Sequence, residues 1–499
     1  MENKPNFLWI CTDQQRFDTL GCYGNPFVRT PNIDRLAESG VLFEQAFCQA
    51  PVCTPSRASF LSGRYPRTCR VRGNGQEIPE DEVLVPKLLR DEGRYLCGLS
   101  GKLHLSVCST DRCHTEERRI DDGYEVFHWS HNPRRTSKGL PSGNQYRNWL
   151  EQQGVAYKTG PSKHLDSPGD ESDKLRGPEY WRGAPLVEAG MPTEFHQSTW
   201  CADRAIEFIR DRGRDRRQWL FSVNVYDPHH PMDPPPEFLE RYIPFLDDLP
   251  LPACMEGEQA AMPLFHHDPI ECQYHFDRMS SKEHRLVKAA YYAMIDLVDV
   301  QVGRMLQALE DTGQLANTMV VFMSDHGEML GDHGIYLKGP YFYEPAVRVP
   351  LVIAMPGTIP GGRRSSAPVE LLDVGETLLS AAGVPRHAGM QGRSLWPMLT
   401  GQAPLDRHRD SVYCEYYNAL ANHMNPKAYG TMVRDDRHKL VRYHGIDQGE
   451  LYDLQEDPGE FRNLWNDPAH AALKIRMLER LADRMAFTMD PLPPRVAGW

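Results

Sequence analysis

The chain has 499 residues, of which 25% are charged and 40% hydrophobic, so it has the composition of a globular protein and room for two or more domains. Its formal net charge of −12 argues against a nucleic-acid-binding protein, because affinity for phosphate backbones needs clustered positive charge. An anionic substrate would have to be attracted by a local positive site.

The N-terminal segment leads directly into a short apolar run at residues 7–11. This run is too short for a secretory signal or a membrane span, so we expect a cytoplasmic protein without a membrane segment. The twelve cysteines are scattered without a paired framework, and in a reducing compartment most of them should be free thiols.

Apolar runs alternate with helical patterns along the first 400 residues, which predicts an α/β domain with a largely parallel sheet. Apolar runs typical of strands cover residues 6–12, 95–99, 219–226 and 318–323, with a weaker one at 351–354. Helical periodicity covers residues 199–210, 281–312 and 369–382. The last two helices are expected to end at Gly313 and Gly383, because glycine is a common C-terminal cap.

Two long polar stretches interrupt this alternation. Residues 130–190 are rich in Pro, Gly, Arg and Lys, and residues 244–280 are rich in Pro, His and acidic groups. Loops of this length in a compact domain are usually covers over a functional site or disordered inserts. Both interpretations stay open from the sequence.

The composition changes again near residue 405, where a second, smaller domain is expected to begin. Short strands are predicted at residues 411–417, 430–434 and 438–443, followed by a turn-rich stretch at 450–460 and a helix at 468–487. We therefore divide the chain into a catalytic domain at residues 1–405 and a C-terminal α+β domain with an antiparallel sheet at residues 406–499.

Polar side chains follow four of the predicted strands at the point where each strand ends. They are Asp13 and Gln14, Lys102 and His104, Asp227 and His229, and Asp325 and His326. Because the carboxyl ends of parallel strands share one edge of a sheet, residues about 310 positions apart could meet there.

Two of these pairs have the chemistry of a metal site. Asp13, Gln14, Asp325 and His326 offer three hard oxygen donors and one imidazole, a set that suits Ca²⁺, Mg²⁺ or Mn²⁺. A single aspartate after a strand is more often a helix cap, but two such pairs at two strand ends favour a metal.

The segment around Cys53 is predicted to be a loop that enters a helix, with Pro55 in the first turn. Such a helix start directs backbone N–H groups and partial positive charge at an anion. From composition alone, a lone buried cysteine is more often packing material than a catalytic group.

The sequence Cys-Thr-Pro-Ser-Arg at residues 53–57 resembles the signature of the sulfatase family, Cys-x-Pro-Ser-Arg, in which the cysteine is oxidised to Cα-formylglycine. Gly-Lys-Leu-His at residues 101–104 resembles the second family signature, and Ser-Asp-His-Gly-Glu at 324–328 with Lys338 resembles the second metal segment and its downstream lysine. Residues 392–395 and 450–460 are similar to sulfatase C-terminal regions. The resemblance extends from residue 6 to about residue 465.

The resemblance implies an alkaline-phosphatase-like fold, in which a large mixed, mostly parallel sheet is flanked by helices and followed by a small domain with an antiparallel sheet. It also implies that the four ligands named above hold one cation, Ca²⁺ first and Mn²⁺ or Mg²⁺ after it, with the modified Cys53 as a further ligand. A formylglycine-generating enzyme is then an expected partner.

The reaction implied by the resemblance is hydrolysis of a sulfate ester. The hydrated aldehyde made from Cys53 would attack sulfur, while the cationic side chains Arg57, Lys102 and Lys338 stabilise the sulfuryl oxygens. His229 would protonate the leaving alcohol. His104 would remove the remaining hydroxyl proton, which expels sulfate and restores the aldehyde.

The chain departs from the commonest family pattern at two metal positions. Gln14 stands where many sulfatases carry aspartate, and His326 stands where many carry asparagine. This set resembles the ligands of the related phosphonate monoester and phosphodiester hydrolases, so hydrolysis of those esters is the alternative function. Lys102 and His104 argue against this alternative, because that branch tends to carry neutral hydroxyl residues at the two positions. A third hypothesis, an inactive relative that binds sulfated ligands, would need a missing nucleophile or ligand, and none is missing.

The expected substrate is a small sulfated sugar or another small sulfate ester. Arg72, Asn74 and Gln76 follow the nucleophile helix and could contact the leaving group. Weaker candidates are His230, Tyr341 and Tyr343. An ordinary structural role is equally open for each of these residues. Glu344 and Arg348, four residues apart, are expected to form a structural ion pair.

Overall fold

The computed structural model describes most of the chain. The described residues are 4–107, 117–132, 143–157, 190–212, 217–230, 232–258, 262–263, 266, 276, 279–420, 427–493 and 495–497. Much of the two long polar stretches predicted as covers or inserts therefore lies outside the described residues. Among the described residues, no helix combines the length and apolar character that crossing a membrane requires.

The strands, in chain order, are β1 Asn6–Thr12, β2 Gly40–Phe43, β3 Ala46–Phe47, β4 Leu96–Gly101, β5 Val126–Trp129, β6 Trp219–Asn224, β7 Thr318–Ser324, β8 Arg348–Val349, β9 Leu351–Ala354, β10 Arg363–Ser365, β11 Val369–Glu370, β12 Val412–Tyr417, β13 Tyr429–Arg434, β14 His438–Tyr443 and β15 Gln448–Asp453.

The α-helices are α1 Pro31–Glu38, α2 Cys53–Ser62, α3 Val85–Asp91, α4 Gln145–Gln152, α5 Gln197–Arg212, α6 Pro236–Leu239, α7 Ser281–Asp311, α8 Glu344–Val347, α9 Leu372–Ala382, α10 Trp396–Leu399 and α11 Ala471–Phe487.

An eight-stranded mixed sheet forms the centre of the molecule, with the strand order β10-β2-β9-β7-β1-β6-β4-β5. The run from β7 to β5 is parallel, whereas β9 is antiparallel to both its neighbours. Every residue of β1 is buried. Its alternating side chains enter two separate cores, Phe7 and Trp9 on one face and Leu8 and Ile10 on the other. A strand covered on both faces needs such a continuous apolar run, and β1 has one.

Helices cover both faces of this sheet. Helices α2, α3 and α9 contribute to the core on the Trp9 side, and α1, α5 and α7 contribute to the core on the Ile10 side. The longest described helix, α7, begins with a capping box in which Ser280 and Glu283 satisfy each other's backbone N–H groups. These layers confirm the predicted α/β architecture.

A smaller region follows the central sheet. Strands β12 to β15 form an antiparallel sheet in sequential order, and α11 packs on it through Met477 and Leu481. A three-stranded sheet, β11-β3-β8, is built from short strands, two of which lie in sequence among the strands of the central sheet. The predicted antiparallel C-terminal sheet is thus confirmed, while the domain boundary at residues 405 and 406 stays a prediction.

Two predicted elements are wrong at their edges. Residues 450–453, predicted as part of a turn-rich stretch, belong to β15, which pairs with β14 over six residues. The helix predicted from residue 369 begins at Leu372, because Val369 and Glu370 pair with β3 instead. Periodicity alone could not separate these short strands from their neighbours, since tertiary pairing decides them.

Candidate active site

The predicted meeting of strand ends takes place along the carboxyl edge of the central sheet. Strand β1 lies between β7 and β6, and β4 lies beyond β6. Backbone hydrogen bonds continue past the strands, from Asp13 N to the Asp227 carbonyl at 3.1 Å and from Asp325 N to the Thr12 carbonyl at 3.2 Å. The segments that follow four strands are thereby held side by side.

Cys53 is the first residue of α2 and is buried. Its Sγ lies 3.6 Å from Asp13 Oδ1, 3.2 Å from His326 Nε2 and 3.1 Å from Lys338 Nζ. Burial and the Asp13 carboxylate would raise the pKa of the thiol, but the surrounding cations outweigh them and lower it to about 7. The first turn of α2 therefore presents this side chain to both anionic and cationic groups.

The start of α2 is hydrogen-bonded to Asp325, one of the predicted metal ligands. Ser56 Oγ donates to the Asp325 carbonyl at 2.5 Å, and Arg57 Nε donates to Asp325 Oδ2 at 2.8 Å. Every residue of α2 is buried, so the helix has little freedom to move away from the sheet edge. The polar pattern Ser-Arg in the signature thus fixes the position of Cys53.

Four potential ligands converge on one point. The ligand atoms of Asp13, Cys53, Asp325 and His326 all lie within 4.8 Å of one another, and all four residues are buried. His326 Nδ1 donates to the Gly327 carbonyl at 2.8 Å, which directs Nε2 at the cluster. Two carboxylates and an oriented imidazole are a donor set that fits a divalent cation.

Gln14 lies beside this cluster, and its amide is oriented by a residue that the sequence did not single out. Its Nε2 donates to Glu328, and its Oε1 accepts from Lys338 Nζ at 2.6 Å. Glu328 also accepts from the backbone of Leu330 and Leu337, so it is firmly held. Glu328 is the last residue of the Ser-Asp-His-Gly-Glu segment, and its place in that segment was the only feature of the sequence that could have marked it as a site residue.

Buried cations surround the carboxylates. Arg57 lies 3.3 Å from Asp13 Oδ2, and Lys102 also contacts that oxygen. Burial alone would raise the pKa of Asp13, but Lys102 and Arg57 hold it well below its usual range. In turn, Asp13 outweighs the effect of burial on Lys102 and raises the pKa of its ammonium. These groups therefore stay charged inside the protein.

His229 and Lys338 form a buried pair beside Cys53. His229 Nδ1 donates to the His230 carbonyl, and Lys338 Nζ lies 2.7 Å from His229 Nε2. Burial and the Lys338 ammonium hold the pKa of His229 well below its usual range. The imidazole is therefore neutral, and its Nε2 faces the Lys338 ammonium.

His104 occupies the other side of Lys102. Its backbone N–H donates to the buried carboxylate of Glu117 at 2.9 Å, and its ring packs edge-on against His131 at 4.7 Å. Nδ1 is buried and has no hydrogen-bond partner among the described residues. Burial and Lys102 hold the pKa of His104 well below its usual range, so this imidazole is also neutral.

The predicted substrate-binding residues form the loop after α2. Asn74 Oδ1 accepts from the Thr54 backbone at 3.0 Å and so lies at the start of the nucleophile helix. Gln76 Oε1 accepts from the backbone of Arg72 at 2.7 Å and shapes the loop. The guanidinium of Arg72 lies over the exposed side of Tyr417 at 5.8 Å. Of these three residues, Asn74 is the one with a described contact to the helix that carries Cys53.

The weaker sequence candidates divide clearly. Tyr341 and Tyr343 are buried in the core, which supports the structural reading for both. Glu344 and Arg348 form the predicted ion pair at 3.6 Å. His230, in contrast, lies 3.5 Å from Gln14 Nε2 at the edge of the site.

Comparison with known proteins agrees with this geometry. The sulfatase family profile matches residues 5–384, and the profile of the C-terminal region of N-sulphoglucosamine sulphohydrolase matches residues 331–486. The chain is 29% identical over 469 residues to an arylsulfatase of Clostridium perfringens, covering 93% of this chain and 90% of that protein. It is 26% identical to an N-acetylglucosamine-6-O-sulfatase of Bacteroides thetaiotaomicron, covering 98% and 88%.

A solved structure with the same fold is the phosphonate monoester hydrolase of Agrobacterium radiobacter. It superposes with a TM-score of 0.80 at 26% identity, covering 98% of this chain and 97% of that one. The likeness extends over both sheets and confirms the alkaline-phosphatase-like fold. Since the sulfatase profile covers well over half of its length, the chain belongs to the sulfatase family and is a sulfuric ester hydrolase.

Proposed function

We propose that the protein hydrolyses the sulfate ester of a small molecule, in particular a sulfated sugar, to an alcohol and inorganic sulfate, with a formylglycine made from Cys53 as its nucleophile. The observation that carries this proposal is the position of Cys53. Its Sγ lies within 3.6 Å of a carboxylate, an imidazole and an ammonium, all buried. A merely structural cysteine has no need of such surroundings.

Asp13, Gln14, Asp325 and His326 would hold one divalent cation, with Ca²⁺ as our first choice. The bound cation would lower the pKa of the nucleophilic hydroxyl and neutralise charge on the sulfuryl group. The fit is supported by the buried carboxylates and by the orientation of His326 through Gly327. Gln14 keeps its oxygen on the same side as Lys338, next to the cluster.

The protein's own cations would bind the sulfuryl oxygens. Arg57, Lys102 and Lys338 converge on the Cys53 side chain or on the carboxylates that touch it. They are buried and held by acceptors, so they are oriented before the substrate arrives. Removing one such donor typically slows catalysis by ~10²–10³-fold.

The leaving alcohol would take its proton from the His229–Lys338 pair. A neutral His229 carries no proton on Nε2, which accepts from Lys338 Nζ at 2.7 Å. His229 would therefore take up a proton on Nε2, with the Lys338 ammonium turned to a sulfuryl oxygen, and that nitrogen would pass the proton to the leaving oxygen. His104, which is also neutral, is suited to accept a proton in the later step that releases sulfate.

Selection of the alcohol would take place beyond the sulfuryl group. Asn74 at the start of α2 and the exposed guanidinium of Arg72 lie on the loop that faces Tyr417. Polar groups of this kind suit the hydroxyls of a sugar, and a relative is an N-acetylglucosamine-6-O-sulfatase. Gln76 would contribute indirectly by shaping the loop.

A second candidate function is phosphonate monoester or phosphodiester hydrolysis with the same nucleophile. It is favoured by Gln14 and His326 in the ligand set and by the likeness to the Agrobacterium radiobacter enzyme. It is disfavoured by Lys102 and His104, because the phosphonate monoester and phosphodiester hydrolases tend to carry neutral hydroxyl residues at these two positions. We place sulfate esters first.

Side-by-side turnover of an aryl sulfate and an aryl phosphonate monoester tests this choice. We expect kcat/KM to be higher for the sulfate, and Cys53→Ala to abolish both activities. Cys254→Ala is the matched control, because Cys254 is exposed and does not belong to the ligand cluster. A higher kcat/KM for the phosphonate would make phosphonate hydrolysis the first choice. Activity in the Cys53→Ala variant would show that Cys53 does not supply the nucleophile.

A further inference from the structure

Tyr226 is a buried residue that lies two positions beyond the end of β6, at the same edge of the sheet as the candidate site. Its backbone N–H donates to Gln197 Oε1 at 3.2 Å, which fixes the segment against α5. Neither the sequence pattern nor the proposed mechanism gives this tyrosine a role. Its side chain nevertheless contacts several of the groups that the mechanism uses.

The hydroxyl of Tyr226 acts on His229 through one backbone carbonyl. It donates to the His230 carbonyl at 3.2 Å, and His229 Nδ1 donates to the same oxygen. A carbonyl oxygen has two lone pairs and can accept both donors. The hydroxyl therefore holds in place the acceptor that keeps the His229 proton on Nδ1 and leaves Nε2 facing Lys338.

The ring of Tyr226 contacts the cationic side of the site. Lys102 Nζ lies over the ring at 5.4 Å from its centre, a cation–π distance, while the same ammonium contacts Asp13. The ring also packs against the His229 imidazole, with centres 4.6 Å apart at an interplanar angle of 45°. One aromatic ring thus contacts both Lys102 and His229.

We propose that Tyr226 is a positioning residue for the two halves of the reaction. Its hydroxyl sets the tautomer and orientation of His229 through the His230 carbonyl, and its ring holds Lys102 beside Asp13. This inference rests on the proposed function, in which His229 serves the leaving group and Lys102 serves the sulfuryl oxygens. It assigns separate effects to the hydroxyl and to the ring, which two substitutions can separate.

The test is a leaving-group series of aryl sulfates measured with Tyr226→Phe and Tyr226→Leu. Tyr226→Phe keeps the ring, so we expect kcat/KM to fall about 10-fold for esters of weakly acidic phenols and little for activated esters, a fraction of what a general acid contributes. Tyr226→Leu also loses the ring, so we expect a further loss on every ester. Tyr124→Phe is the matched control, because Tyr124 is also buried and its hydroxyl bonds only a side chain, Ser222 Oγ at 2.8 Å.

A purely structural role would lower kcat/KM equally for all esters, without changing its dependence on the leaving group. That result in folded Tyr226→Phe would overturn the proposal. A second readout is independent of turnover: the ¹⁵N shifts of His229, assigned by comparison with His229→Gln, report which nitrogen carries the proton. We expect a mixture of tautomers in Tyr226→Phe. If the wild-type enzyme hydrolyses no sulfate ester, the proposed function fails, and an unchanged tautomer would independently overturn the role of Tyr226.

Discussion

Asp13 links the candidate nucleophile to its cationic neighbours. One carboxylate oxygen lies 3.6 Å from Cys53 Sγ, and the other is shared by Arg57 and Lys102. Because these cations keep Asp13 ionised despite burial, the site has a fixed negative ligand ready for a metal. The same contacts hold the two cations beside the candidate nucleophile, where the proposed function places the sulfuryl group.

His104 and His229 should fail in different ways when replaced. We expect His229→Ala to slow esters of poorly acidic alcohols by ~10²–10⁴-fold and activated aryl esters far less, because an easy leaving group departs without a proton. We expect His104→Ala to release about one alcohol per site rapidly and then stall, since the later proton transfer is lost. Pre-steady-state measurement of alcohol and sulfate distinguishes the two.

Matched glutamines help to interpret these variants. His229→Gln and His104→Gln retain polarity and approximate size, so a fall in activity common to Ala and Gln reports lost proton transfer, not a cavity. Equal losses on every ester in both positions, with no alcohol burst in either, would contradict this division of labour. The family assignment would still stand.

Sequence reasoning reached the site residues that follow strands and missed those that support them. Asp13 and Asp325 follow buried strands, and the topology of a parallel sheet alone brings such positions together. Glu328 contacts Gln14, and Tyr226 contacts the His230 carbonyl and the His229 ring. No periodicity marks such contacts, because they depend on the exact packing of side chains distant in sequence.

At the scale of secondary-structure elements, a buried ionic network joins α8 to the C-terminal sheet. Glu344 at the start of α8 contacts Lys439 of β14 at 2.7 Å and Arg434 of β13 at 3.3 Å. Lys439 also contacts Glu460 at 2.7 Å. Removing one partner of such a network leaves an uncompensated buried charge, which typically costs ~3–5 kcal/mol. The start of α8 is therefore held against the C-terminal sheet.

Glu450 of β15 should make stability depend on pH. Burial raises its pKa from 4.5 to about 7, although the Tyr443 hydroxyl, 3.0 Å from Oε1, acts in the opposite direction. The folded state therefore holds the proton more tightly, so this contribution is fully present below pH 4.5 and is lost as the pH rises through 7. From pH 5 to pH 8 the free energy of unfolding should fall by up to about 3 kcal/mol from this group.

Urea denaturation at pH 5 and pH 8 measures this effect. Glu450→Gln cannot ionise, so its free energy of unfolding should fall less between the two pH values than that of the wild type. Glu456→Gln is the control, because Glu456 follows β15 but its side chain is 75% exposed. An identical pH dependence in Glu450→Gln and the wild type would show that Glu450 is already ionised in the folded protein.

The elements themselves were predicted well where their apolar pattern is continuous. Strands β1, β7 and β9 and helix α7 lie within a residue or two of the expected bounds. Strand β11 was missed because two residues carry too little periodicity to distinguish a strand from a helix start, and β15 was missed because its polar residues resemble those of a turn. The packing of Gly449 against Trp465, which the sequence does not reveal, helps to place β15.

At the scale of the whole molecule, an acidic protein encloses a cationic site. The chain carries a formal net charge of −12, yet Arg57, Lys102 and Lys338 are buried together at one sheet edge. Attraction of a sulfate ester must therefore come from this local field and from a bound cation. Substrate binding should accordingly depend strongly on the metal.

Chelation is expected to abolish activity, and Ca²⁺ should restore it best, followed by Mn²⁺ and Mg²⁺. Two carboxylates and an amide oxygen are hard donors, while the imidazole leaves room for Mn²⁺. Asp325→Asn should weaken calcium retention measured by elemental analysis, whereas Asp311→Asn on the surface end of α7 should not. Full restoration by Zn²⁺ alone would contradict this ligand assignment.

The central claim is that a modified Cys53 performs the reaction. The most direct measurement compares sulfate release from an aryl sulfate with the converted fraction of Cys53, determined by mass spectrometry of its tryptic peptide. Conversion lowers the peptide mass by about 18 Da, since the thiol is replaced by an aldehyde, a product beyond the usual steps of cysteine oxidation. Preparations made with and without the maturation enzyme supply a range of fractions. We expect sulfate release to rise in proportion to conversion and to vanish at zero conversion, whereas full activity in protein that contains only the unmodified thiol would contradict the account.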